Sequence, residues 1–266
     1  MSVQALYTAA TGMNSMQTKL DVIANNLANT ETTGFKADRP NFEDLFYHQE
    51  KYPGSQDSSG NYTPTGIATG TGSRVQSTQS NFTQGSLQQT GNQLDLAIQG
   101  QGFFQIRDPS GNIYYSRAGN FSRNANGQIV MGSANIGRLL EPAITIPQDA
   151  TNVSISSAGV VSYQTATSQT LSQAGTIQLA NFINPQGLLK SGENLYQETE
   201  ASGTAQTGAP GANGMGTTQQ GSLEQSNVDP VSSLIDLITT QRAFEMNSQT
   251  IQAGNQAWQT INNLVK

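Results

Sequence analysis

The last forty residues, NVDPVSSLIDLITTQRAFEMNSQTIQAGNQAWQTINNLVK from Asn227 to Lys266, decide the fold. One large apolar residue recurs in them at every seventh position: Leu237, Phe244, Ile251, Trp258 and Val265. Residues seven apart on a helix form one row along its surface, as in the seam of a coiled coil. The spacing therefore predicts a long helix that packs against a partner helix.

The start of this helix is marked by Asp229 and Pro230, because Asp is a favoured N-cap and proline is tolerated at the first helical position. From Gln241 onward the only charged residues are Arg242, Glu245 and Lys266. A solvated helix normally carries charges along its outer face. We therefore expect protein on more than one side of this helix.

A second row runs beside the apolar one and is mostly polar: Leu234, Gln241, Ser248, Asn255 and Asn262. Polar residues in a helix seam cost stability, but they fix the register or the choice of partner. We interpret this row as a register device.

Another helix is predicted over residues 3–28, ending near Asn29. Its seam positions follow the a and d spacing of a coiled coil: Leu6, Met13, Met16, Leu20, Ile23 and Leu27. Isolated helices are marginal in water, so both predicted helices need partners. The pair could be an ordinary intramolecular antiparallel pair, or it could pack mainly against copies of the chain. The second alternative is favoured because neither helix has a charged outer face.

Residues 36–72 are predicted to form a long loop or extended arm. Turn-forming residues dominate the second half of this segment, and loops of this length are usually functional or disordered. The candidate contact residues in the arm are Phe46, Tyr47, Tyr52, Pro53 and Tyr62.

Residues 73–225 switch to short runs of period two, which predict an antiparallel β domain of about eight to ten strands. Residues 143–146 and 176–182 are among the predicted strands, and residues 201–222 are interpreted as a Gly/Ala/Thr-rich return strap. The predicted fold class is α+β. A terminal helical domain (1–35 plus 226–266) pairs in a coiled-coil-like manner, and a central all-β domain (73–225) forms a sandwich or irregular barrel.

Composition excludes several function classes. The chain of 266 residues has 12 basic and 18 acidic residues and a net charge of −6, with no basic run that could follow a phosphate backbone. We therefore expect no nucleic-acid partner. Cysteine is absent, which excludes disulfides, thiolate chemistry and Cys-based zinc sites. We also expect neither a secretory signal at the N-terminus nor membrane insertion.

No catalytic constellation emerges from the sequence. His48 is the only histidine, so a His-based metal cluster is not available. Gly70-Thr-Gly72 and Gly100-Gln-Gly102 lack the spacing of phosphate-binding loops, and we interpret them as turn or bulge glycines. We expect no cofactor, no metal and no enzymatic activity.

Several stretches resemble the signatures of flagellar rod and hook proteins. The N-terminal signature is LDVIANNLANTETTGFK (20–36), and the C-terminal ones are GSLEQSNV (221–228) and QRAFEMN (241–247). The central signatures are LAIQGQGFF (96–104), YSRAGNF (115–121), NGQIV (126–130) and GENLY (192–196). The matches cover essentially the whole chain in the same order as in the family.

The resemblance implies a non-enzymatic subunit of a hollow helical shaft in the bacterial flagellum. The chain length and the segment NFEDLFY (41–47), followed by the Pro53-Gly54 arm, are most like subunits of the distal rod; proximal rod and hook subunits are the alternatives. The implied partners are copies of the chain, neighbouring rod and hook subunits, and the surrounding periplasmic and outer-membrane rings. The implied location is the rod where it crosses the periplasm, reached without a cleaved signal. A secreted β-rich binding module is the rival from another class.

Overall fold

The computed structural model describes most of the chain, namely residues 3–54, 56, 60, 62, 64–132, 137–166 and 170–264. The described part divides into two compact units. The helical unit comprises Met1–Ala28, Asp38–Gln79 and Asp229–Lys266, and the β unit comprises Asn29–Ala37 and Ser80–Val228. The fold thus has an N-terminal helix, a β-rich centre and a C-terminal helix.

The first helix has the predicted bounds, and the second begins at the predicted residue. Helix α1 spans Val3–Ala28 and helix α2 spans Pro230–Leu264. Asp229 caps α2, since its Oδ1 accepts the Val231 N–H at 3.1 Å and its Oδ2 accepts the Ser232 hydroxyl at 2.5 Å. These two hydrogen bonds lower the pKa of the Asp229 carboxyl, and the bond from Ser232 has the larger effect. Among the described residues, neither helix combines the length and the apolarity of a membrane span.

The helical unit also contains strands β1 (Asp38–Asp44), β2 (Tyr47–Lys51), β3 (Ile67–Gly70) and β4 (Ser73–Ser80). Strand β1 pairs with β4, and β2 pairs with β3 as an antiparallel hairpin. Backbone bonds from Leu45 N–H to Gly72 O and from Thr71 N–H to Phe46 O close the base of the hairpin. The prediction of a loop or extended arm over residues 36–72 is therefore wrong for its two ends, because β1 pairs with β4 and the arm is a β-hairpin at its base.

The remaining strands belong to the β unit: β5 Leu87–Gln89, β6 Leu96–Gln99, β7 Phe103–Arg107, β8 Ile113–Ser116, β9 Phe121–Arg123, β10 Ile129–Met131, β11 Leu139–Glu141, β12 Ala150–Ile155, β13 Val160–Thr165, β14 Ser172–Thr176, β15 Leu179–Asn181, β16 Leu189–Gly192, β17 Leu195–Gln197, β18 Gln206–Gly208, β19 Thr217–Gln220 and β20 Ser222–Glu224. A 3-10 turn, Pro185–Gly187, precedes β16. Nine of these strands form one sheet around β7, with the central order β16-β17-β8-β7-β11-β10-β9 and with β15 and β18 beside it. The strands β12-β13-β14 form a second sheet, while β19 pairs with β6 and β20 pairs with β5. All of these pairings are antiparallel, as predicted.

Side chains that alternate along β7 point into two separate hydrophobic cores. Phe104 and Ile106 point into the larger cluster, together with Leu140 and Val161. Phe103 points the other way, into a smaller aromatic cluster with Tyr115, Phe182 and Tyr196. Successive side chains of a strand face opposite sides of the sheet, so one short strand serves both cores.

Two strand predictions, the predicted strap and the predicted number of strands are wrong. Residues 143–146 make only an isolated bridge at Thr145, because Pro142 and Pro147 interrupt the ladder on both sides. The predicted strand 176–182 is split into the end of β14 and all of β15. The segment 201–222 is not a plain strap, since it contains β18 and β19 and begins β20. The β unit thus has more strands than the predicted eight to ten, running from β5 to β20 in its described part.

Candidate assembly surface

Helices α1 and α2 pack against each other in antiparallel directions within the helical unit. Gly12 of α1 lies beside Asn247 of α2, and a Cβ placed on Gly12 would be 3.2 Å from the Asn247 Nδ2. Gly254 is buried against Leu6, and a Cβ placed there would be 2.3 Å from Leu6 Cδ2. The contact therefore depends on two glycines that let the helices approach closely.

On α1 the predicted seam residues lie on the protected side. Ile23 is buried, and the others are half-buried: Leu6, Met13, Met16, Leu20 and Leu27. Leu6 is the member of this set that lies against Gly254 of α2.

On α2 the predicted row has a mixed environment. Leu237, Phe244 and Ile251 are half-buried, and they alternate at three- and four-residue spacing with Thr240, Asn247 and Gly254, the side that faces α1. Trp258 remains 44% exposed. Val265 lies outside the described residues.

The polar row on α2 is mostly exposed. Leu234, Gln241, Asn255 and Asn262 face solvent, and Ser248 is half-buried. The polar side chain that lies against Gly12 of α1 is instead Asn247, one position before Ser248.

A patch that the sequence reading did not single out lies on the first two turns of α2. Val231, Leu234, Ile235 and Ile238 are between 45% and 64% exposed, and we call them the stripe. Their spacing of i, i+3, i+4 and i+7 places them on one helix face. That spacing is the signal that could have revealed a second apolar face, beside the row of seven-residue period.

A second exposed apolar patch occupies the last turns of α2. It consists of Trp258, Ile261 and Leu264, of which Leu264 is 80% exposed, and we call it the overhang. Because Leu6 lies opposite Gly254 and the helices are antiparallel, Val3 at the start of α1 is level with roughly residue 257 of α2. The overhang therefore extends beyond the described part of α1.

The arm exposes its aromatic side chains. Phe46 is 91% exposed, and Tyr47, Tyr52, Pro53 and Tyr62 are also exposed. In the hairpin Tyr47 pairs with Gly70, and beyond it a bridge joins Gln56 to Tyr62. The hydrogen bond of the Tyr47 hydroxyl with Asp44, and the negative charge of that carboxylate, raise the pKa of Tyr47. Exposed rings on a narrow hairpin are suited to packing against another protein.

The β unit contains a buried ion cluster that sequence reasoning missed. The Glu224 carboxylate contacts Lys36 Nζ at 2.5 Å and Arg117 Nη1 at 3.3 Å, and all three residues are buried. Lys36 also donates to Thr83 O at 2.7 Å, and Arg117 donates to Gly100 O at 2.7 Å. Burial lowers the pKa of both Lys36 and Arg117, because it penalises their charged forms.

This cluster joins three of the motif stretches. Lys36 ends the stretch 20–36, Arg117 belongs to 115–121 and Glu224 belongs to 221–228. Gly34 packs against the backbone of residues 117–118 with a φ of +69°, a conformation that glycine adopts without strain. The charged residues of the signatures therefore hold the segment after α1 and the segment before α2 to the same point of the β unit.

Nothing in the described part of the chain forms a cluster of metal-ligating side chains. His48 is exposed on β2. A cavity of about 450 Å³ in the helical unit is lined by residues of α1, α2 and the hairpin, and Glu50 is its only titratable side chain. One carboxylate beside Thr8, Thr69, Asn247 and Thr250 is not a catalytic arrangement, because no base or second acid accompanies it.

Three family models match the chain. Residues 6–36 match the flagella basal body rod protein model, residues 97–163 match the D1 domain of the flagellar hook protein FlgE/F/G, and residues 219–264 match the flagellar basal body rod FlgEFG protein C-terminal model. Each of the three includes a member of the buried ion cluster, Lys36, Arg117 or Glu224.

Full-length relatives give the same result. The chain is 47% identical over 263 residues to the flagellar basal-body rod protein FlgG of Caulobacter vibrioides, covering 98% of this chain and 99% of the relative. It is 42% identical over 259 residues to the FlgG of Buchnera aphidicola (Baizongia pistaciae), covering 97% and 98%. It is 38% identical over 271 residues to the FlgG of Bacillus subtilis, covering 98% and 99%.

Proposed function

We propose that this chain, which belongs to the flagellar basal-body rod protein family and is a structural subunit of the flagellar rod, builds the distal part of the rod. There it polymerises into a hollow helical shaft that transmits torque from the motor to the hook. Its place in the flagellar basal body follows from family membership. The distal position is supported by the FlgG relatives, which align with the chain from end to end.

The observation that carries this proposal is the amount of apolar surface that α2 leaves uncovered. Both the stripe and the overhang remain exposed although α2 is already packed against α1. Contiguous exposed apolar patches mark interaction sites, whereas isolated exposed apolar residues do not. A subunit that buries these patches against copies of itself gains stability from assembly rather than from its own fold.

We further propose the terminal helices as the polymerisation domain, with boundaries at 1–35 and 226–266, and a coiled-coil-like pairing between copies. The seam residues Leu237, Phe244, Ile251, Trp258 and Val265, with their α1 counterparts, contribute to that packing. The β domain (73–225) forms the outer layer, and the arm (36–72) bridges to adjacent subunits.

The proposed partners are copies of the chain, neighbouring rod and hook subunits, and the periplasmic and outer-membrane rings around the rod. The subunit crosses the inner membrane through the flagellar export channel without a cleaved signal. It acts without a cofactor and without catalysis, as a structural protein.

Replacement in a motile strain tests the proposal. In a strain that lacks the chain, the wild-type chain restores complete rods with hooks, and the chain co-purifies with basal bodies. A chain that ends at Gln256, without the overhang, restores neither, whereas Gln252→Ala on the exposed surface between the two patches behaves as wild type. Complete rods in the absence of the chain, or basal bodies free of it, contradict the proposal.

A further inference from the structure

The two uncovered patches of α2 differ in position and environment. The stripe occupies the first two turns of the helix, and the overhang occupies its last two turns. Between them the exposed positions include Gln241, Arg242, Glu245 and Gln252. The other large apolar side chains exposed on the helices, Tyr7 and Met246, are isolated. The described part of the helix pair therefore presents two apolar patches at opposite ends of α2.

We propose that the overhang of one copy packs on the stripe of the next copy along the polymer. This inference rests on the proposed function, because it names the surfaces through which rod subunits meet. It commits to a second copy of the chain as the occupant of the stripe.

The need for an open-ended contact favours this pairing over the packing of each patch on itself. A stripe that met another stripe would form an isologous contact, which closes at two copies. A contact between two different patches is heterologous, and it continues from copy to copy unless rotation closes it into a ring. A rod requires the second kind of contact.

The dimensions of the two patches agree. The stripe extends over residues 231–238, or about 10 Å along the helix axis, and the overhang extends over residues 258–264, or about 9 Å. The two patches are therefore nearly equal in length along the helix axis.

The helix dipole favours the same arrangement. The stripe lies at the N-terminal, partially positive end of α2, and the overhang lies at the C-terminal, partially negative end. When the last turns of one α2 lie beside the first turns of the next, opposite ends of two helix dipoles become neighbours. A stripe-to-stripe contact brings two like ends together instead.

The overhang is also free to reach another copy. It begins beyond the level of Val3 on α1, so the described part of α1 does not cover it. Trp258 supplies the largest side chain of the patch, and tryptophan is a common anchor in protein interfaces.

Disulfide trapping tests the pairing, because the chain has no cysteine of its own. One strain co-expresses two copies, one with Ile238→Cys in the stripe and one with Ile261→Cys in the overhang. After mild oxidation of isolated basal bodies, we expect a disulfide-linked dimer that is lost when either variant is expressed alone. The matched control pairs Ile238→Cys with Gln252→Cys, which is exposed but lies in neither patch, and should give no dimer.

The outcomes separate this inference from the proposed function. Rods that contain both variants but yield no dimer, or that yield a dimer with Ile238→Cys alone, overturn the pairing and leave the rod function standing. Absence of the chain from basal bodies contradicts the function itself. If the cysteine variants do not assemble, a reconstruction of wild-type rods decides the question. We expect Ile238 and Ile261 of neighbouring copies to approach within about 4.5 Å, and a wide separation overturns the pairing.

Discussion

At the residue scale, Glu224 holds together segments that are far apart in sequence. Its carboxylate accepts from Lys36, from Arg117 and from the Gly85 N–H at 3.0 Å. Burying three charged groups carries a large desolvation penalty. The ion pairs and hydrogen bonds of the cluster offset that penalty only while the network is complete. The cluster therefore fixes which segments meet, and losing one member costs more than the net contribution of the whole.

Glu224→Gln keeps the shape of the side chain but leaves two buried cations without their counter-ion. We expect the free energy of unfolding to fall by about 3–5 kcal/mol in urea denaturation followed by circular dichroism. The matched control is Glu141→Gln, which removes a partly exposed ion pair with Arg107 and should cost at most about 1 kcal/mol. Equal effects of the two substitutions would contradict this account.

Tyr115 makes the stability of the fold sensitive to high pH. Burial, followed by the charge of Glu198 and the hydrogen bond with it, raises the pKa of Tyr115 from 10.0 to about 12. Between these values the unfolded chain loses the phenolic proton first, so stability falls as pH rises from about 10 towards 12. We expect Tyr115→Phe to remove about 1–2 kcal/mol of that fall in urea titrations across this pH range. Tyr62→Phe, at an exposed position, should leave the fall unchanged.

At the element scale, the glycine at position 254 sets the distance between α1 and α2. Alanine has a higher helix propensity than glycine by about 1 kcal/mol, but its Cβ would collide with Leu6. We therefore expect Gly254→Ala to give no net gain in the wild-type chain and a gain of about 1 kcal/mol in a Leu6→Ala background. Thermal unfolding of the four chains followed at 222 nm measures the coupling, and equal gains in both backgrounds would show that Leu6 does not oppose the new methyl group.

The helices were largely predictable from the sequence because their signals are local. Asp229 and Pro230 mark one boundary, and the seven-residue row predicts one long helix, although the side of α2 that faces α1 is that of Thr240, Asn247 and Gly254. The overhang was less predictable, because the exposure of Trp258 depends on where α1 begins relative to α2. The ion cluster was not predictable, since Lys36 and Glu224 are 188 positions apart and become partners only in the fold.

The strands, like the helices, were predictable only where the signal is local in the sequence. The β-rich character of residues 73–225 was predictable because alternation and turn residues mark short strands. The pairing of β19 with β6 was not predicted, since polar residues such as Gln219 and Gln220 give no strand signal of their own. Strand β19 forms because it pairs with Leu96 and Ala97 of β6, which are buried in the β unit.

At the scale of the whole molecule, the arm is a separable part of the helical unit. Phe46 and Thr71 are joined by a backbone hydrogen bond at 3.1 Å, so residues 47–70 can be removed and the ends joined without spanning a gap. We expect this deletion to leave a polymer that still forms but bends more easily, because bracing between subunits is lost while the α1–α2 contact at Gly12 and Gly254 remains. Electron micrographs of isolated rods measure the curvature, and rods as straight and stiff as wild type would contradict the bracing role.

In the polymer proposed above, contacts between the terminal helices, not between β units, hold the copies together. The most direct measurement is a cryo-EM reconstruction of the rod from a strain whose distal segment is built from this chain. We expect α1 and α2 to form the innermost layer and the stripe and the overhang to be buried between copies. A rod in which the helices face solvent, and in which contacts between β units make up the lattice, would contradict it.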